Sequence, residues 1–231
     1  MIDSYKRIIF ALDVPSSEKG VELAKKLSGS VGYFKIGLEL FVKCGPQIIS
    51  EISNYAPIFL DLKLHDIPAT IKGAIQSLPK ENVQMLTIHA SNSKEALMEA
   101  VKSSNGIKII AVTVLTSISQ NDLEEEGYKK SLAELAVARA VKAKNCGCHG
   151  VVCSVFEAKE IRKECGNDFL IITPGIRPSW EGVSKHDQKR VATPAEAIKA
   201  GADFVVIGRA IRDADDPQKA AMMIAKEIDF H

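Results

Sequence analysis

The stretch Phe59-Leu60-Asp61-Leu62-Lys63-Leu64-His65-Asp66 decides how this chain folds. Its apolar residues alternate with Asp61, Lys63 and His65, which is the period of a β-strand. Pro57-Ile58 before it and Ile67-Pro68 after it hold it to the length of a single strand. On a free-standing antiparallel sheet the charged side would face water. In a parallel sheet both faces are covered, so the same charges need partners or a cavity that uses them.

Outward from this strand, short apolar runs alternate with longer amphipathic segments. The expected strands are 7–14, 31–36, 58–64, 85–89, 107–114, 150–154, 169–173 and 203–207. The expected helices are 17–27, 46–53, 67–78, 93–101, 131–144, 156–165, 194–200 and 217–228. Strand-like runs each followed by a helical segment predict a β/α succession. Pro15-Ser16-Ser17 and Thr193-Pro194 supply helix starts, the second with Thr193 as cap and Pro194 in the first turn. No proline-rich or glycine-serine linker interrupts the chain, so residues 1–231 are expected to form one α/β domain. A closed (β/α)8 TIM barrel suits this number of units in this length, with a doubly wound sheet as the alternative.

Composition narrows the function. Hydrophobic residues make up 46% of the 231 and charged residues 26%, which suits a globular core and excludes a disordered chain. Thirty Lys and Arg against twenty-nine Asp and Glu leave a net charge of +1, so no nucleic-acid footprint is expected. The cysteines are Cys44, Cys146, Cys148, Cys153 and Cys165. Cys146-Gly147-Cys148 is too tight for a C-x-x-C redox or zinc pair, and His149 alone completes no ligand set. Buried thiols in a reducing compartment are expected. The opening M-I-D-S-Y-K-R lacks the apolar segment of a signal peptide, and no run is long enough to span a bilayer. The chain is therefore expected to be cytoplasmic, without a membrane partner.

In a parallel barrel, polar residues at the carboxyl ends of strands meet in one mouth. Asp13, Lys35, His89, Thr116 and Gly208-Arg209 all follow or end apolar runs and join Asp61 and Lys63 as candidates. Lys129, Lys130, Lys142 and Lys144 read as solvated helical faces, and His65 and His89 as structural residues rather than catalytic ones.

The motif D-L-K-L-H-D-I-P-A-T at 61–70 then resembles that of orotidine 5′-phosphate decarboxylases, with its D-x-K-x-x-D signature. Further pieces lie in order along the chain: A-L-D at 11–13, F-K-I-G at 34–37, V-L-T-S at 114–117, P-G-I-R-P at 174–178, D-Q at 187–188 and I-G-R at 207–209. The resemblance implies a homodimeric β/α barrel that converts orotidine 5′-monophosphate to uridine 5′-monophosphate without metal or organic cofactor. It implies a charged array of Lys35, Asp61, Lys63 and Asp66, with Asp66 reaching the neighbouring subunit's site. Asp13 and Lys35 would contact the ribose, Thr70 the ribose-phosphate from across the interface, and Thr116 the pyrimidine. Arg177, Gln188, Gly208 and Arg209 would hold the phosphate. Two departures stand out: Ala69 replaces the usual Asn, and the loop 178–187 is slightly longer, with His186 where the family often has Gly.

The implied chemistry suits these residue types. Loss of CO2 from C6 leaves an electron pair orthogonal to the pyrimidine π system, where resonance cannot spread it. A lysine ammonium can stabilise that charge and then donate a proton, which an arginine rarely releases. Two other functions compete. One is a metal-dependent 3-keto-L-gulonate 6-phosphate type decarboxylase, which shares a related D-x-K-x-x-D array. The other is a barrel that binds a phosphorylated metabolite without turnover.

Overall fold

Residues 3–79, 82–180 and 192–229 are described by the structure, a computed structural model. The strands are β1 (Ile8–Ala11), β2 (Tyr33–Gly37), β3 (Ile58–Leu64), β4 (Val83–His89), β5 (Lys108–Val112), β6 (Gly150–Val152), β7 (Leu170–Thr173) and β8 (Phe204–Ile207). They pair in parallel in chain order, and β1 pairs with β8 through Ile8 opposite Val205 and Phe10 opposite Ile207. That last pairing closes the barrel and rules out the doubly wound sheet, which would leave two edges.

Every expected strand is present, though most are shorter than their apolar runs, because the ends leave the ladder and turn into the loops. The expected helices appear as α1 (Ser17–Leu27), α3 (Gln47–Ser53), α4 (Pro68–Gln76), α5 (Lys94–Lys102), α7 (Leu132–Asn145), α8 (Val155–Cys165), α9 (Pro194–Lys199) and α11 (Pro217–Asp229). Side chains cap several of them. Ser16 Oγ accepts from the Lys19 N–H, and Ser131/Glu134 and Thr193/Glu196 form reciprocal capping boxes, the second with Pro194 in the first turn.

Three short helices and a 3-10 turn were not foreseen: α2 (Leu38–Cys44), α6 (Gln120–Glu125), α10 (Arg209–Arg212) and the turn Ser4–Arg7. Two of the helices, α2 and α10, follow a strand directly from a glycine, Gly37 and Gly208, without a side-chain cap. The usual start signal is therefore missing from the sequence.

The helices bury the outer faces of the strands. In the continuous outer core, Ile8, Phe10, Phe34, Ile36, Ile58 and Leu60 are fully buried against helical residues such as Leu23, Leu40 and Ile52. A second cluster of Ile9, Phe59, Met85, Ile110 and Ile172 plugs the barrel interior. This plug makes the barrel a solid platform, not a pore, and leaves only the ends available for a site. Gly150 is required by the tightness of the wall: a Cβ there would meet the Leu170 carbonyl oxygen at 2.4 Å.

One local departure from strand regularity matters for function. Leu60 pairs with Leu86 but Leu64 pairs with Ile88, so four positions of β3 oppose two of β4. Lys63, in this bulge, has φ +51°, a left-handed conformation uncommon for a residue with a side chain. The regular alternation of Asp61, Lys63 and His65 expected from the sequence therefore ends at Asp61.

Candidate active site

A cavity of about 450 Å³ opens at the carboxyl ends of the strands, above the interior plug. Asp13, Lys35, Asp61, Lys63, Thr116, Arg177, Gly208 and Arg209 all line it. These residues come from β2, β3 and the segments that follow β1, β5, β7 and β8, so closure of the barrel brings the dispersed motifs together.

On one wall the charges form a continuous row. Lys35 Nζ lies 3.1 Å from Asp13 Oδ1 and 3.6 Å from Asp61 Oδ2, and Lys63 Nζ lies 2.9 Å from the same Asp61 oxygen. Burial opposes ionisation of Asp61, but the two ammonium groups and hydrogen bonds from Lys63 and Thr87 outweigh it and hold the carboxyl below its ordinary range. The row thus alternates two aspartates with two lysines, with Asp61 between the two ammonium groups. Gly37 of the F-K-I-G motif keeps the corner open, since a Cβ there would come within 2.9 Å of Lys35 Nζ.

Two polar residues absent from the sequence-derived site complete this wall. Arg212 donates to the Asp13 backbone carbonyl at 2.8 Å and forms an ion pair with Asp213 at 2.7 Å. It stands one helical turn after Arg209 in I-G-R-A-I-R, a spacing that could have flagged it. Thr87, fully buried on β4, donates to Asp61 Oδ1 at 2.9 Å and accepts from the Lys63 N–H at 2.8 Å. Its only signal in the sequence is a hydroxyl inside the apolar run M-L-T-I.

Not every expected residue enters this cavity. Asp66 and Thr70 are exposed and do not line it; the Asp66 carboxylate instead accepts from the Ile67 N–H at 2.7 Å. Asn92 ties the backbone leading into Asp66 to the end of β4: its side chain accepts from the Asp66 N–H at 3.1 Å and donates to the Leu64 and His89 carbonyls at 3.0 and 2.8 Å. Beside Asp66, Ile67 is 64% exposed, and Leu38 and Val42 of α2 are 53% and 79% exposed. Gln188, and most of the loop 178–187, lie outside the described residues.

His89 does not line the cavity; its ring lies 5.4 Å from that of His65. Lys142 is not a freely solvated lysine, because it donates to the Asn92 carbonyl at 2.8 Å. The cysteines are all free, four of them buried, and burial together with neighbouring Cys146 pushes the Cys148 thiol up to about 12. Among the described residues no group of three or more His, Cys, Asp or Glu is placed to hold a metal.

A closed β/α barrel with a row of ion-paired lysines and aspartates at the carboxyl ends of its strands has the architecture of a barrel enzyme. The model of the Orotidine 5'-phosphate decarboxylase / HUMPS family matches residues 6–224, and the chain belongs to that family. It is 45% identical to an orotidine 5′-phosphate decarboxylase of Syntrophomonas wolfei over 99% of this chain and 100% of that relative. It is also 45% identical to the enzyme of the same name from Wolbachia pipientis, over 96% of this chain and 98% of the relative. The crystal structure of orotidine 5′-phosphate decarboxylase from Lactobacillus acidophilus superposes with a TM-score of 0.84 at 34% identity, covering 96% of this chain and 98% of that one.

Proposed function

We propose that this chain, acting as one barrel domain, decarboxylates orotidine 5′-monophosphate to uridine 5′-monophosphate in pyrimidine biosynthesis. The observation that carries this reading is the row Asp13–Lys35–Asp61–Lys63 in the mouth of the barrel. In the proposed reaction the bond from C6 to the carboxylate breaks, CO2 departs, and the electron pair stays on C6. The Lys63 ammonium, aimed by Asp61, stabilises that pair before and during its full development. It then gives up a proton, an N–H bond breaking as the C6–H bond forms, and the neutral amine recovers a proton from solvent. Asp61 aims Lys63 through their ion pair at 2.9 Å and would face the departing carboxylate.

The remaining roles follow the chemistry of each wall. Asp13 and Lys35 would hold the ribose hydroxyls and Thr116 the pyrimidine. Arg177, Gln188, Gly208 and Arg209 would grip the phosphate, and its binding energy would align the ring over Lys63. Asp66 and Thr70 would act in the site of a second subunit, in a homodimer whose interface includes the exposed Ile67, Leu38 and Val42. Free thiols at every cysteine are in keeping with a cytoplasmic enzyme.

The test is the fall in absorbance when purified protein meets orotidine 5′-monophosphate in the presence of EDTA. Turnover to uridine 5′-monophosphate is expected. No turnover of the nucleotide, together with metal-dependent decarboxylation of a keto-sugar phosphate, would favour the phosphosugar enzyme instead.

Arg209 gives a test of the phosphate side. Arg209 lines the cavity, and only the nucleotide presents a dianion to it. Arg209→Ala is expected to lower kcat/KM for the nucleotide about tenfold to hundredfold, the scale of one hydrogen bond to a charged group, and to leave the phosphate-free nucleoside nearly unaffected. Equal losses for both substrates would remove Arg209 from the phosphate grip.

A further inference from the structure

We infer that Thr87 is the positioning residue that sets the Lys63–Asp61 pair, acting at once on the carboxylate and on the backbone of the lysine. The inference rests on the function proposed above and adds to it a residue from a strand that carries none of the family's charged motif.

The geometry is specific. β3 bulges between Leu60 and Leu64, and the ladder there is interrupted. The Lys63 N–H consequently bonds to a side chain, Thr87 Oγ1, at 2.8 Å. The same hydroxyl spends its proton on Asp61 Oδ1 at 2.9 Å, while Asp61 Oδ2 receives the Lys63 ammonium at 2.9 Å. One hydroxyl thus closes a ring that runs from the Lys63 backbone through Thr87 and Asp61 to the Lys63 side chain. The ring holds a lysine whose φ of +51° is not self-sustaining, and turns the carboxylate so that one oxygen is left for the ammonium groups.

Packing alone does not require the hydroxyl. Thr87 is completely buried in a run otherwise filled by Met85, Leu86 and Ile88, where valine would fill the same volume. A buried hydroxyl is costly unless both its donor and acceptor capacities are met, and here each is met by a member of the reactive pair. The hydrogen bond from Thr87 is also among the influences that keep the Asp61 carboxyl ionised.

Thr87→Val keeps the shape and removes both bonds. It is expected to lower kcat about tenfold to hundredfold, the scale of a hydrogen bond to a charged group, with KM nearly unchanged because the phosphate and ribose contacts remain. Losing a donor to the carboxylate raises the Asp61 pKa, so the acid limb of the kcat profile should move to higher pH. Thr87→Ser, which restores the hydroxyl, should recover most of the loss, and Thr87→Ala gives the same direction if the valine variant does not fold. Wild-type kcat and an unmoved acid limb in a folded Thr87→Val protein would overturn the inference. So would a serine variant as impaired as the valine one, which would make the methyl group the important part.

A readout without turnover separates this inference from the proposed reaction. The Asp61 carboxyl can be titrated by carbon-13 NMR in wild type and Thr87→Val. An upward shift in the variant supports the role of Thr87 even if wild type leaves orotidine 5′-monophosphate untouched, and identical titrations refute it even if wild type is fully active.

Discussion

Lys63→Ala is expected to lower kcat at least ~10²–10⁴-fold, the usual contribution of a positioned proton donor. The loss should lie in kcat because the residues proposed to hold the phosphate and ribose do not include Lys63, so substrate should still bind. The variant should fold: Asp61 keeps Lys35 at 3.6 Å and Thr87 at 2.9 Å, and the cavity admits water where the ammonium stood. Circular dichroism and a melting curve check this independently of activity. Lys63→Arg restores a positive charge without a transferable proton and should remain impaired, which separates proton delivery from charge alone. Nearly normal turnover by a folded Lys63→Ala protein would sink the proposed mechanism.

The second large effect concerns sites built from two chains. In this chain's own cavity the row of charges ends at Lys63, whose carboxylate neighbour is Asp61, while Asp66 lies outside the cavity on an exposed segment. Asp66 is nevertheless anchored, since Asn92 accepts from its N–H and donates to the Leu64 carbonyl just before it. A rigid, outward-facing aspartate next to the exposed Ile67 suits delivery to a neighbouring subunit. Lys63→Ala and Asp66→Ala chains should each be nearly inactive alone. Mixed under conditions that allow subunit exchange, they should form about half heterodimers, each with one intact and one doubly defective site, so about one quarter of all sites recover. Demonstrated exchange without recovery would place Asp66 within its own chain's site or remove the dimer as the active form.

Much of this was legible before any tertiary structure. The alternation of Phe59, Leu60 and Asp61 located β3, and the succession of apolar runs located its neighbours, because strand and helix periods are local properties of the chain. The capping of α9 by Thr193 and Pro194 was equally local. Asp61 and Lys63 of D-L-K-L-H-D could be named as site candidates, since a parallel barrel leaves a lysine and an aspartate on β3 no water-exposed face except its mouth.

The short helices α2 and α10 escaped notice because they start at glycines, without a capping side chain. Lys142 read as solvated because the carbonyl that binds it belongs to Asn92, 50 positions earlier. The bulge at Lys63 was hidden for a similar reason: it depends on which residues of β4 lie opposite, and register between strands is a property of two segments together. Thr87 shows the division most clearly. In sequence it is a polar residue in an apolar strand, equally suited to a turn, a bulge or a satisfied buried hydroxyl. Only pairing of β4 against the bulged β3 puts that hydroxyl between the Lys63 backbone and the Asp61 carboxylate. The sequence by itself determined the succession of strands and helices along the chain, the charged residue types and their place at strand ends, because those depend on local period and burial. Tertiary structure alone decided which oxygen meets which nitrogen, because a hydrogen bond is set to within a few tenths of an ångström by strands far apart in the chain.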